Sequence, residues 1–459
     1  MFSYAPGRGA IKKSEKKGGD KEMKRKIFST LFALVLVMSF SLIPATPVSA
    51  ATLNVPSASY PTIQSAVNAA NPAGGDTIIV AAGTYDEQVE IGKSLTLQGA
   101  GDTTVIQPSG AGVLTTVKTT PWIPAPTATK QMAAIVFVDT AGGQVTIKDL
   151  KIDGSGITGV PAGVGGDWVA GLAYLETSGT IESLTVIGNP GLGCRTAGIW
   201  ASAISSVTEV EVTGCSVIGY NRAGIYALGG TMTADYHHNE INGPGAIISQ
   251  VPNGMFFLRG AMGSATYNTV TDLGYTGETY RATGIGTWNA GTGIIFSHNT
   301  ISNVQNAFAL SQYSSYTTVE YNLIYDCHTG VRLETGASNN LIQYNDIVGN
   351  TYAIRCGVAM GNGNVAHFNN FVGNEGPAWT SDEGETHAAA VSNVHETHEL
   401  DATLNWWGHA SGPSGEYGRV NPDGEVVGKG DSVSDNVDWD PWLRRPVWTN
   451  PAGKDLPPQ

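Results

Sequence analysis

"EYNLIYDCHTGVRLE" (residues 320–334) and "QYNDIVGNTYAIRC" (residues 343–356) are two versions of one pattern, 23 residues apart. Each opens with an aromatic, an asparagine, any residue and an isoleucine. Each then places a glycine or alanine, a branched aliphatic and an arginine at matching distances. Working outward, the asparagine returns as Asn239, Asn268, Asn299, Asn322, Asn345, Asn369 and Asn405, at spacings of 29, 31, 23, 23, 24 and 36. Farther upstream, Leu95, Leu150, Leu184 and Cys215 read as occupants of the same position. A fixed repeat of this length is the mark of a solenoid. The segments alternate ("VTIKDLKI", "VEVTGCSVI") and show no helical period, so each repeat is a set of short strands joined at Gly/Asn corners.

The fold expected is all-β: a parallel β-helix of about eleven coils. Like positions then stack about 4.8 Å apart. A column of asparagines becomes a ladder of amide hydrogen bonds, with Asn also suiting the left-handed backbone of a corner. The register is lost between residues 106 and 140. An uncapped solenoid exposes strand edges and core. "YPTIQSAVNAA" answers this at one end, setting Ile63, Ala66, Val67 and Ala70 on one face of a short helical plug.

A second column follows the asparagines. Segments reading "GIW", "GIY", "GMF", "GIG", "AFA", "GVR" and "AIR" point an aliphatic inward and so the next residue outward. That column is Trp200, Tyr226, Phe256, Gly286, Ala309, Arg332 and Arg355, with Trp288 and Glu334 two residues farther on. Stacking between coils explains it. So does a groove for an extended sugar chain, with aromatics as platforms, small residues as a dip and charged groups as anchors.

The residues "TIQSAVNAA…GDTIIVAAGTYDEQVEIGKSLTLQGAG" (62–101) resemble the opening of pectin methylesterases, and Gly83, Tyr85 and Glu87 match that family's Gly-x-Tyr-x-Glu turn. The resemblance implies the pectin-lyase-like, right-handed parallel β-helix. It does not imply esterase activity, because the family's aspartate, arginine and glutamine strings are missing. The motifs of polygalacturonases are missing too, and no unmistakable calcium cluster of the pectate-lyase kind is visible. "NWWGHASGPSG…GDSVSDNVDWDPWL" resembles the closing segment of secreted β-helix repeat proteins. There Trp406, Trp407, Trp439 and Trp442 read as a seal on the last coil before they read as sugar contacts.

The division expected is an upstream mis-start over 1–22, a signal peptide over 23–50 with cleavage after Ala50, a cap and first coil over 51–105, coils over 106–410, and a C-terminal cap and tail over 411–459. The chain beyond residue 50 holds 16 Lys and Arg against 36 Asp and Glu, a net charge of −20. Nucleic acid and anionic membranes are poor partners for that surface, and no membrane span is expected after the leader. "HETH" (395–398) lacks the zinc-protease spacing. His387, His395, His398, His409, Glu396 and Glu399 would gather a metal only if the fold converges them, since in a strand His395 and His398 face opposite ways. The acidic loops "NPDGE" and "DSVSDNVDWD" read as turns or calcium sites, so Ca2+ is the one cofactor kept open. Four cysteines are too few for a disulfide scaffold.

The functional expectation is a secreted protein that binds extracellular polysaccharide along the outward column: Trp200, Tyr226, Phe256 and Trp288 on the sugar, Arg332, Arg355 and Glu334 beside them. The alternatives are a polysaccharide lyase or hydrolase using Arg332, Arg355 and Glu334, and a structural surface protein with no glycan.

Overall fold

A computed structural model of the protein describes residues 50–110, 112–121, 129–160, 168–277, 281–376, 379–380, 386–387, 389–395, 397–415 and 428–448. The mis-start, the leader before Ala50, "NPDGE", Glu396 and the side chain of His387 lie outside the described residues.

The strands coil. A 23-stranded parallel sheet carries the segments on both sides of the asparagine corner, and a 14-stranded sheet carries the segments of the outward column. Each coil pairs with the next in register, as in Val331↔Ile354 and Ile324↔Ile347. The inward residues form one apolar core from Leu53 to Val437. The fold is a right-handed parallel β-helix with a short capping helix.

That helix, α1 (Ile63–Ala69), is only seven residues long, so its ends matter. Thr62 and Ser65 form a capping box. The Glu87 carboxylate accepts from the amides of Ile63 and Gln64 at 2.9 and 3.0 Å. This gives the Gly-x-Tyr-x-Glu turn a mechanical role: the first coil holds the positive end of the plug. Lys93 caps the other end, donating to the carbonyls of Asn68 and Ala70. Ile63, Ala66 and Val67 seal the core. No helix among the described residues is long and apolar enough to cross a membrane.

The asparagine column is a continuous buried ladder. Asn322 donates from its backbone and side-chain amides to Asn345 Oδ1 at 3.0 and 2.9 Å, and from Nδ2 to the Phe296 carbonyl at 2.9 Å. The same geometry links Asn239, Asn268, Asn299, Asn345, Asn369 and Asn405. Two shorter ladders, missed in the sequence, run beside it: Asn340–Asn364 and Asn350–Asn374, the latter ending on Asp431.

Two sequence expectations are corrected and one gap is filled. The left-handed corner belongs to the residue before each asparagine, from His238 to Leu404, at φ of 55 to 59°. The asparagines themselves do not adopt it, because their amides must stay aligned with the axis to reach the next coil. Leu95 does not share the column of Leu150: it pairs with Val145, and the strand pairing Val105↔Lys151 puts Thr104 there instead. The Thr104 hydroxyl bonds Ala100 and Ala81, a short substitute for the amide. The register gap near 106–140 holds an antiparallel hairpin, Val117–Pro121 against the start of Thr129–Asp139. An antiparallel excursion has no counterpart in neighbouring coils, so no repeat could reveal it.

Candidate functional site

The outward column exists in the register anticipated: Trp200↔Tyr226↔Phe256↔Gly286↔Ala309↔Arg332↔Arg355. Its two halves differ in exposure. Trp200, Tyr226 and Phe256 are 0, 4 and 6% exposed, which corrects the expectation of an open aromatic platform. Trp168 lies 4.9 Å from Trp200, which is 5.9 Å from Tyr226, itself 5.7 Å from Phe256, all ring to ring. With Phe137, Leu228 and Leu258 they make a second apolar cluster outside the coil. Gly286 is no dip either, since the Phe256 ring lies where its Cβ would be. Apolar side chains this large bury one another wherever a neighbouring segment lets them.

The other half is polar and partly open. Arg332 pairs with Glu334, Nε to Oε1 at 2.6 Å, with both side chains about 30% exposed. Arg355 stands on the next coil, its guanidinium 4.9 Å over the Tyr352 ring. The His328 ring lies 5.3 Å from the same tyrosine. Its Nδ1 meets the Thr329 hydroxyl at 3.1 Å. Burial first, then the charges of Arg355, Arg281 and Arg332, hold His328 down at about 4, so its ring is neutral at ordinary pH. Burial and Arg332 bring Arg355 down to about 10, still a cation. Arg332 and Arg355 therefore stand on adjacent coils with a neutral imidazole and a tyrosine, and Glu334 is the carboxylate beside them. Trp288, 39% exposed, sits one row along, paired with Ser311.

Sequence reading missed Arg281, His328 and Tyr352. Tyr352 directly precedes the alanine that marks the column, and His328 stands two residues before its glycine. The recurrent Thr/Asn/Tyr directly before the glycine or alanine (Thr283, Asn306, Thr329, Tyr352) was the available signal for Tyr352.

Elsewhere, His395 and His398 do not point apart. They sit in a turn with rings stacked 4.0 Å apart, His395 Nδ1 accepting the amides of Thr397 and His398. Among the described residues no group of three or more His, Cys, Asp or Glu is placed to hold a metal. Trp407 is buried against Phe371 at 4.9 Å in the closing coil, and Trp439 lies 5.6 Å from Trp442.

Residues 246–394 match a family model described as a right-handed β-helix region. No curated protein matches the chain in sequence. Among solved structures, the chain resembles a lacto-N-biosidase from Eubacterium ramulus, as its selenomethionine derivative and as the native protein, at 14 and 12% identity and TM-scores of 0.46 and 0.50. The alignments cover 71 and 76% of this chain and 62 and 68% of that enzyme's length. An alginate lyase from a Paenibacillus species shares 16% identity over 65% of this chain and 94% of that one, at a TM-score of 0.43. A pectate lyase shares 12% over 85% and 79%, at 0.37. Stacked registers, ladder and family match together make the chain a right-handed parallel β-helix protein.

Proposed function

We propose that the protein is exported by its 23–50 leader and binds an anionic extracellular polysaccharide, of the uronate type, at the arginine half of the outward column. The observation that carries this is Arg332 and Arg355 stacked on adjacent coils beside Tyr352 and His328, in a chain of strongly acidic composition. Guanidinium forks match carboxylates, and a local positive site on an acidic surface selects an anionic ligand while repelling a second protein like itself. The aromatic half supplies rigidity and no contact. That the structural neighbours carry names of glycan-acting enzymes is consistent with this reading and does not choose the sugar.

Titration calorimetry with anionic and neutral oligosaccharides tests it. Anionic oligomers should bind, more weakly at high salt, and Arg332→Ala and Arg355→Ala should each weaken them about tenfold or more. Equal binding of neutral oligomers would overturn the anionic selection, and binding of no glycan would leave the structural reading in its place.

A second reading, cleavage of the bound chain by β-elimination, draws on His328. It is neutral, oriented through Nδ1 by Thr329, and set among cations that would steady a carboxylate during proton removal beside it. Hydrolysis by a carboxylate pair has less support, since Glu334 is bound to Arg332. Incubation with polyuronates, with and without calcium, followed by ultraviolet absorbance for the unsaturated product, separates cleavage from binding.

A further inference from the structure

On the anionic-glycan reading, we infer that the Tyr313 ring, seated on the turn at Gly336, is a sugar-stacking subsite that continues the arginine site across the coils rather than along the solenoid axis.

Tyr313 is 69% exposed, yet its position is specified. Its amide donates to the Thr335 carbonyl at 2.9 Å. One face of its ring lies on Gly336, where any Cβ would run into the ring atoms. Gly336 also sits at φ 69°, so glycine meets two demands there. Gln312 and Tyr313 are successive left-handed residues, at φ 53 and 67°.

The aromatics of the asparagine corner offer sugars less. Along the asparagine corner, His238, Tyr267, His298, Tyr321, Tyr344 and Phe368 stack on the exterior at 4.7 to 5.2 Å. Inner rings of that stack have both faces occupied and show only edges. Tyr313 has one face on backbone and the other toward solvent. An open aromatic face is what the C–H face of a pyranose stacks on.

Position completes the case. Trp288 pairs with Ser311, and the Glu334 amide bonds Leu310, so Trp288 and Glu334 border the path from Arg332 to Tyr313. Arg332 to Gly336 is at most about 13 Å of extended chain, the length of two or three sugar rings. The axial route toward the N-terminus is filled by Phe256, Tyr226 and Trp200.

Calorimetry with a uronate dimer, tetramer and hexamer tests the inference. Wild-type affinity should rise roughly tenfold from the shortest to the longest, the scale of one stacked ring. Tyr313→Ala should erase that gain while leaving the dimer's affinity unchanged, and Tyr313→Phe should keep it. Gly336→Ala, which displaces the ring, should act as Tyr313→Ala does, with thermal melting of the Tyr313 variants confirming an intact fold. A length gain that persists in Tyr313→Ala, or a wild type with no length gain, overturns the subsite alone. A wild type that binds no oligomer at any length overturns the glycan reading beneath it.

Discussion

Residues 200–256 and 332–355 contribute the same column of the same sheet, in unbroken register, and share little else. One half is a sealed cluster of rings. The other is a partly open cluster of arginines around a neutral histidine. In a parallel β-helix the strand decides only which way a side chain points. What happens outside the coil depends on whether that side chain gains by being covered. Trp200 and Tyr226 gain, and are covered. Arg332 and Arg355 would forfeit hydration, and Arg355 already gives up much of its own.

The sharpest way to break this contrast is to truncate both halves. Trp200→Ala should cost about 3–5 kcal/mol in urea unfolding, as for a fully buried aromatic. Arg332→Ala should stay within about 1 kcal/mol, since its partner Glu334 is also part-exposed. Equal losses would mean that the two halves differ in chemistry but not in role.

The ladder beneath both halves comes next. Asn322→Leu and Asn345→Leu each remove shared amide bonds from a buried column and should cost about 1–3 kcal/mol, without altering any glycan affinity. Unchanged unfolding in either variant would show that the ladder is not what holds the coils in register.

The last effects are in pH. His328 in the folded chain is held at about 4 against an ordinary 6.5. The unfolded chain therefore takes its proton first, and the stability from neutral His328 is full above pH 6.5 and lost as pH falls through about 4. Asp431, at the end of the Asn350–Asn374 ladder, is pushed by burial to about 6 from 3.8, against the pull of bonds from Asn374 and Gly373. Its contribution runs the opposite way: full below pH 3.8, lost as pH rises through about 6. His328→Gln should therefore gain on wild type as pH falls toward 4, and Asp431→Asn as pH rises past 6. Across the full window each shift should reach at most about 3 kcal/mol. Melting curves across this range that move together, or not at all, would remove one of the two groups from the account.

Much of this molecule is written as period and parity. The spacing of Asn322 and Asn345 carries the solenoid, because stacked coils require like residues at like places. The alternation in "GVRLE" carries the direction of Arg332 and Glu334, because successive strand residues face opposite ways. The plug helix is local, and "TIQSAVNAA" contains its cap and its apolar face. Tertiary structure alone decided the rest. Whether Trp200 is a platform or a core residue depends on segments far from it in sequence. His328 and Tyr352 meet Arg355 only because adjacent coils stack their rings and the guanidinium together. Tyr313 finds a seat because the next coil offers Gly336 under its ring. Direction follows from covalent geometry, which every residue carries with it; cover, convergence and field come from neighbours that only the folded chain brings together.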